Sequence, residues 1–65
     1  MKSLEESDTE EKILKLVEHG LELYQQGEFG EAVSCYDSII KLDPEYGDAY
    51  YNKGISLFDQ GLFEE

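Results

Sequence analysis

The sequence predicts an all-α fold of three antiparallel helices connected by short turns. Apolar residues recur at spacings of three, four and seven along most of the chain, a pattern typical of amphipathic helices. Glycine and proline interrupt this pattern at two places, where helices usually end. No segment shows the sustained alternation of polar and apolar residues that indicates a β-strand. We therefore expect helices alone, arranged as helix-turn-helix units.

The first predicted helix has a wide apolar surface. Ser7 followed three residues later by Glu10 is typical of a capping box, and Ser3 with Glu6 is a second candidate. The helix is therefore expected to begin near Ser7 or near Ser3. Gly27 ends it, because glycine readily adopts the left-handed conformation that follows many helices. The apolar residues of this helix are Ile13, Leu14, Leu16, Val17, Leu21, Leu23 and Tyr24.

Two further helices are predicted after this first turn. One covers about residues 29–42 and the other about residues 48–61, each with apolar residues at helical spacing. The earlier of the two ends at Asp43, because Pro44 follows and the residue before a proline is disfavoured in the helical conformation.

Length and charge exclude several classes of function. The chain has 65 residues, with 16 acidic residues, five lysines, no arginine and a formal net charge of -11. A chain of this size forms one small domain with little room for an enzyme cleft. With no arginine and this excess of acidic residues, binding to nucleic acid or to an anionic membrane surface is disfavoured.

Features that report on the cellular compartment are few. The single cysteine, Cys35, cannot form an internal disulfide. No apolar run approaches the roughly 20 residues of a membrane span, and the amino terminus lacks the apolar stretch of a signal peptide. We therefore expect a cytoplasmic protein.

A shift of the sequence by 34 residues reveals an internal repeat. Residues 13–31 then align with residues 47–65, and six of these 19 pairs are identical, against about one or two expected from average composition. The identical pairs are Gly20 with Gly54, Leu23 with Leu57, Gln26 with Gln60, Gly27 with Gly61, Phe29 with Phe63 and Glu31 with Glu65. The chain therefore contains one helix-turn-helix unit and part of a second.

The period and these residues resemble the tetratricopeptide repeat (TPR) family. In the first unit the matching residues are Gly20 and Leu23 in the first helix, Gly27-Glu28-Phe29 in the turn, Ala32 and Tyr36 in the second helix, and the closing Pro44. The second unit opens with Ala49-Tyr50-Tyr51-Asn52-Lys53-Gly54, which is similar to the start of a family repeat. Leu16, His19 and Ile39 differ from the usual family residues, which suggests a terminal or variant unit.

The resemblance divides the chain into two parts. Residues 1–8 form an acidic segment, and residues 9–65 form a TPR-like domain of about one and a half units, with unit one at about 13–46 and a partial unit two at 47–65. Two interpretations follow. Either the chain is a piece of a longer α-α superhelix, or the third helix covers the first two as a lid.

A concave groove lined by the first helix of each unit is implied by the resemblance. By position, the groove residues are Leu14, Val17, Glu18, Leu21, Tyr24, Gln25, Asp48, Tyr51, Asn52, Ile55, Phe58 and Asp59. A separate core stripe is expected from Leu16, Gly20, Leu23, Ala32, Tyr36, Ile39, Tyr50, Gly54 and Leu57. The groove residues thus form a second apolar stripe, which a partner peptide or helix, the acidic segment or a second copy of the chain would cover.

A strip on the third helix predicts self-association. Ala49, Tyr50, Lys53 and Leu57 would pack, in a complete unit, against a second helix that the partial unit two does not include. If these residues are exposed, a second chain covers them by two-fold pairing or by exchanging a helix. We therefore expect a homo-oligomer.

The carboxylate clamp found in part of the family is not predicted. Asn52 matches one clamp position. Val17, Leu21 and Asp48, however, occupy the positions of other polar or basic clamp residues.

Catalysis and metal binding are not predicted either. Cys35 and His19 suggest a nucleophile and base, but they lie on different predicted helices without a third residue to orient them. No acidic run has the spacing of a calcium loop. We expect no cofactor and no metal.

The sequence thus predicts a non-enzymatic scaffold for protein–protein interaction, whose apolar, acid-flanked groove takes a peptide or helix. The net charge of -11 steers a basic partner toward the chain. The alternative is a structural segment that assembles or caps a longer TPR array and associates with other copies.

Overall fold

The computed structural model describes the backbone of residues 4–64 and the side chains of residues 8–62. This part of the chain consists of three helices without a strand: α1 (Leu4–Gln25), α2 (Phe29–Leu42) and α3 (Gly47–Glu64). The connecting turns are short, which makes consecutive helices antiparallel. α2 lies between α1 and α3 and packs against both. The predicted all-α helix-turn-helix fold is confirmed.

α1 begins at Leu4, which agrees with the earlier of the two predicted starts. Ser3, the capping residue predicted for that start, lies outside the described residues. The helix is continuous through residue 8, so the predicted boundary between acidic segment and domain falls inside α1.

The turn between α1 and α2 is a Schellman motif around Gly27. The N–H of Glu28 donates to the carbonyl of Leu23 at 2.8 Å, and the N–H of Gly27 donates to the carbonyl of Tyr24 at 3.0 Å. Gly27 has φ of 81°, a conformation that glycine adopts without the strain a side chain would cause. The sequence prediction that Gly27 ends the first helix therefore has its physical basis in this turn.

The turn between α2 and α3 is held by side chains at both ends. The carboxylate of Asp43 accepts a hydrogen bond from the N–H of Glu45 at 3.1 Å. The hydroxyl of Tyr50, on the first turns of α3, donates to the carbonyl of Pro44 at 2.7 Å. These bonds fix the direction in which α3 leaves the turn.

The core forms where the three helices meet. The buried apolar residues are Ile13, Leu23, Ala32, Cys35, Tyr36, Ile39 and Ala49, and Leu16, Val17, Tyr24, Ile40 and Tyr46 pack around them. Gly20 is buried against the ring of Tyr36, where a β-carbon would lie 2.8 Å from a ring carbon. The core residues predicted from unit one are therefore buried or partly buried.

The core residues predicted from unit two are not buried. Tyr50 and Leu57 are about half exposed, and Gly54 is exposed with open space beside it. α3 instead packs on α2 through Ala49 and Ser56, which are 1% and 0% exposed. The prediction was wrong because in unit one these repeat positions face α2, whereas in α3 they face a side that no described helix covers.

Candidate functional site

A groove runs between α1 and α3, with α2 behind it. Near the carboxyl end of α1, a concavity of about 130 Å³ is lined by Leu21 and Tyr24 from α1, Tyr36 from α2, and Asn52 and Ile55 from α3. Its lining is mostly apolar, because the two helices turn these side chains toward each other over the Tyr36 ring. Four of these five residues belong to the predicted groove, so the structure brings them together.

Tyr24 joins α1 to α3 at one end of the groove. Its hydroxyl donates a hydrogen bond to the carboxylate of Asp59 on α3. Its ring meets the ring of Phe29 edge to face, with centroids 5.3 Å apart. The hydrogen bond to Asp59, together with burial and the negative charge of that carboxylate, raises the pKa of Tyr24, so the hydroxyl keeps its proton to a higher pH than an ordinary tyrosine does.

A second concavity lies toward the opposite end of α1. It is lined by Glu10, Ile13 and Leu14 from α1 and by Asp43 and Tyr46 from the turn between α2 and α3, and it has a volume of about 370 Å³. Two carboxylates thus stand beside an apolar lining here. Leu14, predicted as a groove residue, lines this second concavity and not the one at Leu21.

The remaining predicted groove residues lie outside both concavities. Val17 is partly buried against the core, and Glu18 is exposed on α1. Tyr51 and Phe58 are among the most exposed apolar side chains and line neither concavity, although both lie about one turn from Ile55 on the same side of α3. The two concavities therefore bring together part of the predicted groove, namely Leu14, Leu21, Tyr24, Asn52 and Ile55.

For two residues, the structure shows an environment that the sequence did not predict. Tyr36 was predicted only as core, yet its ring also lines the groove, because α2 lies directly behind the gap between α1 and α3. Ser56 was not singled out, and it is fully buried, its hydroxyl lacking a hydrogen-bond partner among the described residues. The 34-residue shift aligns Ser56 with Glu22, which is exposed, so the repeat signal gave no indication of this burial.

The predicted self-association strip is only partly exposed. Ala49 was expected on the surface but is 1% exposed, because it packs in the core between α2 and α3. The ammonium of Lys53 lies 2.7 Å from the carboxylate of Asp37 on α2. Tyr50 and Leu57 remain about half exposed.

The groups that suggested catalysis lie apart. Cys35 is buried in the core, and this burial, followed by the negative charge of Glu31, raises the pKa of its thiol and disfavours the reactive thiolate. His19 is exposed on α1. Within the described residues, His, Cys, Asp and Glu side chains form no group of three or more suited to a metal ion.

The fold and the groove together define a helical-repeat scaffold, in which two antiparallel helices are followed by a third at the position of the next unit. A family model described as "TPR repeat" matches residues 20–61, which is more than half of the chain. The chain therefore belongs to the tetratricopeptide repeat family. Repeats of this family generally mediate protein–protein interactions and form a non-catalytic class of module.

No solved structure matches the chain. Between residues 4 and 64, every helix is too short or too polar to cross a membrane.

Proposed function

We propose that this chain is a non-enzymatic interaction module that binds an apolar, basic peptide or helix in the groove between α1 and α3. The observation that supports this proposal is the mostly apolar concavity over Tyr36, lined by Leu21 and Ile55 from opposite sides. An apolar groove of this kind between two helices suits the insertion of one or two large side chains of a partner.

The basic character of the partner is proposed from the charges around the groove. Glu18 is exposed on α1, and Glu10 and Asp43 flank the second concavity. With a net charge of -11, the chain attracts cationic segments over distances set by the ionic strength.

The size of the partner segment follows from helix geometry. Along α1, the distance from Glu10 to Tyr24 is about 21 Å at about 1.5 Å per residue. This length accommodates about four turns of a helix or about six residues of an extended strand. A partner with apolar anchors near the Tyr24 end and lysine or arginine near the Glu10 end fits both concavities.

The test uses a fluorescently labelled amphipathic peptide of leucine and lysine, with a second peptide in which glutamate replaces every lysine. Fluorescence anisotropy should show binding of the basic peptide alone. Leu21→Gln should weaken that binding about tenfold or more, since a buried leucine side chain contributes about 1.5–3 kcal/mol.

Leu42→Gln is the matched control. Leu42 is 40% exposed and Leu21 is 42% exposed, but Leu42 lies at the end of α2 and lines neither concavity. This variant should bind the basic peptide as the parent chain does. Equal weakening by both variants, or equal binding of both peptides, would contradict the groove proposal.

A second candidate function is self-association, in which the chain acts as an assembly segment. The observation that favours it is the exposure of Tyr50 and Leu57 on the side of α3 that α2 does not cover. Large apolar side chains grouped on one side of a helix are typical of surfaces that contact another protein.

A further inference from the structure

The two concavities of the groove differ in their chemistry. The one over Tyr36 is lined by uncharged side chains alone. The second concavity combines the carboxylates of Glu10 and Asp43 with the apolar side chains of Ile13 and Leu14. A lining of this composition is complementary to a side chain that has both an apolar part and a positive charge.

The two carboxylates come from different parts of the fold. Glu10 lies on α1, whereas Asp43 follows the last residue of α2. The carboxylate of Asp43 accepts the hydrogen bond from the N–H of Glu45 at 3.1 Å, and the carbonyl of Asp43 accepts one from the N–H of Tyr46 at 3.1 Å. These bonds orient Asp43 before a partner binds, which lowers the entropy cost of a contact with its carboxylate.

The surface around Asp43 is strongly acidic. Glu45 and Asp48 line a neighbouring concavity of about 310 Å³, and Asp43 belongs to the lining of both. Among the described side chains no lysine forms an ion pair with Asp43, and Lys53 pairs instead with Asp37 on α2. The electrostatic potential at this end of the groove is therefore negative, which attracts a cation.

The apolar wall of the second concavity favours a long side chain. Leu14 is 58% exposed at the rim, whereas Ile13 and Tyr46 belong to the core and its surroundings. The aliphatic stem of lysine or arginine packs along apolar surface of this kind while its charged group stays near water and carboxylates. The volume of about 370 Å³ is near the lower end of the range for ligand pockets, about 300–1,000 Å³, and suits a single side chain.

We propose that the second concavity binds one lysine or arginine side chain of the partner. The stem packs on Leu14 and Tyr46, and the charged group lies between Glu10 and Asp43. The inference rests on the function proposed above and assigns a specific subsite within the groove.

The distance between the two concavities sets the spacing of the partner's side chains. Leu14 and Leu21 are seven residues apart on α1, which corresponds to about 10 Å. The partner should therefore carry its long basic residue about 10 Å from the apolar residue that enters the concavity over Tyr36. On a helix this separation is about seven residues, and on an extended strand about three.

Analogues of the labelled leucine–lysine peptide test which side chain the subsite binds. In one analogue 2,3-diaminopropionate replaces every lysine, which keeps the charge on a shorter stem. In the other, acetyl-lysine replaces every lysine, which keeps the stem and removes the charge. Fluorescence anisotropy should show that each analogue binds the parent chain about fivefold or more weakly than the lysine peptide.

Two variants of the chain assign these losses to the second concavity. Asp43→Asn should weaken binding of the lysine peptide about threefold or more and leave the acetyl-lysine peptide unchanged. Asparagine still accepts the hydrogen bond from the N–H of Glu45, and circular dichroism should show unchanged helix content. Leu14→Gln should reduce the advantage of lysine over diaminopropionate, because the stem loses its apolar contact.

Glu45→Gln is the matched control for Asp43→Asn. It removes the same charge two residues away, from a side chain that lines the neighbouring concavity and not the second one. Its effect on the lysine peptide should be smaller than that of Asp43→Asn. Equal effects would show that the partner responds only to the overall charge of this region, and would overturn the subsite.

The subsite and the groove fail in different ways. Binding of the lysine peptide that Leu21→Gln does not weaken would reject the groove and the subsite together. Binding that depends on Leu21 but is equally strong for lysine and diaminopropionate would reject the subsite alone.

Discussion

Gly20 is a residue whose absent side chain shapes the core. Its α-carbon lies so close to Tyr36 that a β-carbon would sit 2.8 Å from the ring, and Tyr36 is itself only 1% exposed. The close approach of α1 to α2 therefore depends on this glycine. Gly54 occupies the corresponding position 34 residues later, with no atom within 4 Å of the place a β-carbon would take.

The substitution Gly20→Ala should lower the free energy of unfolding by about 1–2 kcal/mol. Overpacking against a confined ring costs about 1–3 kcal/mol, and the better helix propensity of alanine recovers up to about 1 kcal/mol of it. Urea denaturation followed by circular dichroism measures the change.

Gly54→Ala serves as the control for this substitution. It brings the same gain in helix propensity without a contact, so it should raise the free energy of unfolding by about 0.5–1 kcal/mol. The measurement is made at low protein concentration, so that self-association does not contribute. Shifts of the same sign and size in both variants would show that the Tyr36 ring moves aside freely.

Ser56 shows what sequence reasoning misses at the scale of a residue. A serine in a helix is usually predicted to lie on the surface. The aligned residue of unit one, Glu22, is exposed and supports the same prediction. Its burial arises because α3 packs on α2 on the side that carries Ala49 and Ser56. The identity of a residue predicts its preference, but a neighbouring helix decides its environment.

At the scale of elements, Tyr24 and Asp59 connect two helices that flank a groove. α1 and α3 each pack on α2, so their separation at the groove depends on the few contacts between them. The Tyr24 hydroxyl must be protonated to donate its hydrogen bond to the carboxylate. The position of α3 relative to α1 is therefore coupled to the ionisation of one tyrosine.

Stability should fall as the pH rises above about 10. The pKa of Tyr24 in the folded chain is raised above its ordinary value of 10.0, so the unfolded chain loses this proton first and high pH favours unfolding. Burial raises the pKa of Tyr36 in the same direction. Asp59→Asn removes the negative charge beside Tyr24, so this variant should lose less stability above pH 10 than the parent chain. Urea denaturation at pH 7 and above pH 10 measures both losses.

Asp48→Asn is the control for this pH dependence. It removes the same charge from α3 at an exposed site that makes no contact with Tyr24. Its loss of stability above pH 10 should equal that of the parent chain. If Asp59→Asn behaves in the same way as Asp48→Asn, the hydrogen bond does not influence stability in this pH range.

At the scale of the whole molecule, net charge opposes folding. Sixteen acidic and five basic residues in a chain of 65 place many like charges close together once the helices pack. Glu18 and Glu22, for example, are exposed and four residues apart on α1, a spacing at which like charges destabilise a helix. A small core must overcome this repulsion.

The midpoint of urea unfolding should therefore rise with sodium chloride, because salt screens repulsion that is stronger in the compact state. The measurement is made at low protein concentration, so that self-association does not contribute. The double variant Glu18→Gln with Glu22→Gln should show a smaller rise than the parent chain. A midpoint that falls with salt, or an equal rise in the variant, would show that the repulsion among these acids is negligible.

The sequence by itself determined the three helices, the ends of α1 and α2, and the family, whereas α3 continues to Glu64, beyond its predicted end near residue 61. These features depend on local physics: apolar spacing, the conformational freedom of Gly27, and the restriction that Pro44 imposes on Asp43. Each acts within a few residues, so it can be read along the chain. The 34-residue period can also be read along the chain, and it shows that a partial second unit follows the first.

Only the tertiary structure decided which positions face a neighbour. The repeat predicts equal environments for Leu23 and Leu57, yet the first is buried on α2 and the second is half exposed. Likewise the repeat aligns Ser56 with Glu22, yet the first is fully buried and the second is exposed. Burial depends on which element lies on each side of a helix, and that arrangement is a property of the assembled molecule. Identical sequence patterns therefore had different outcomes in α1 and α3.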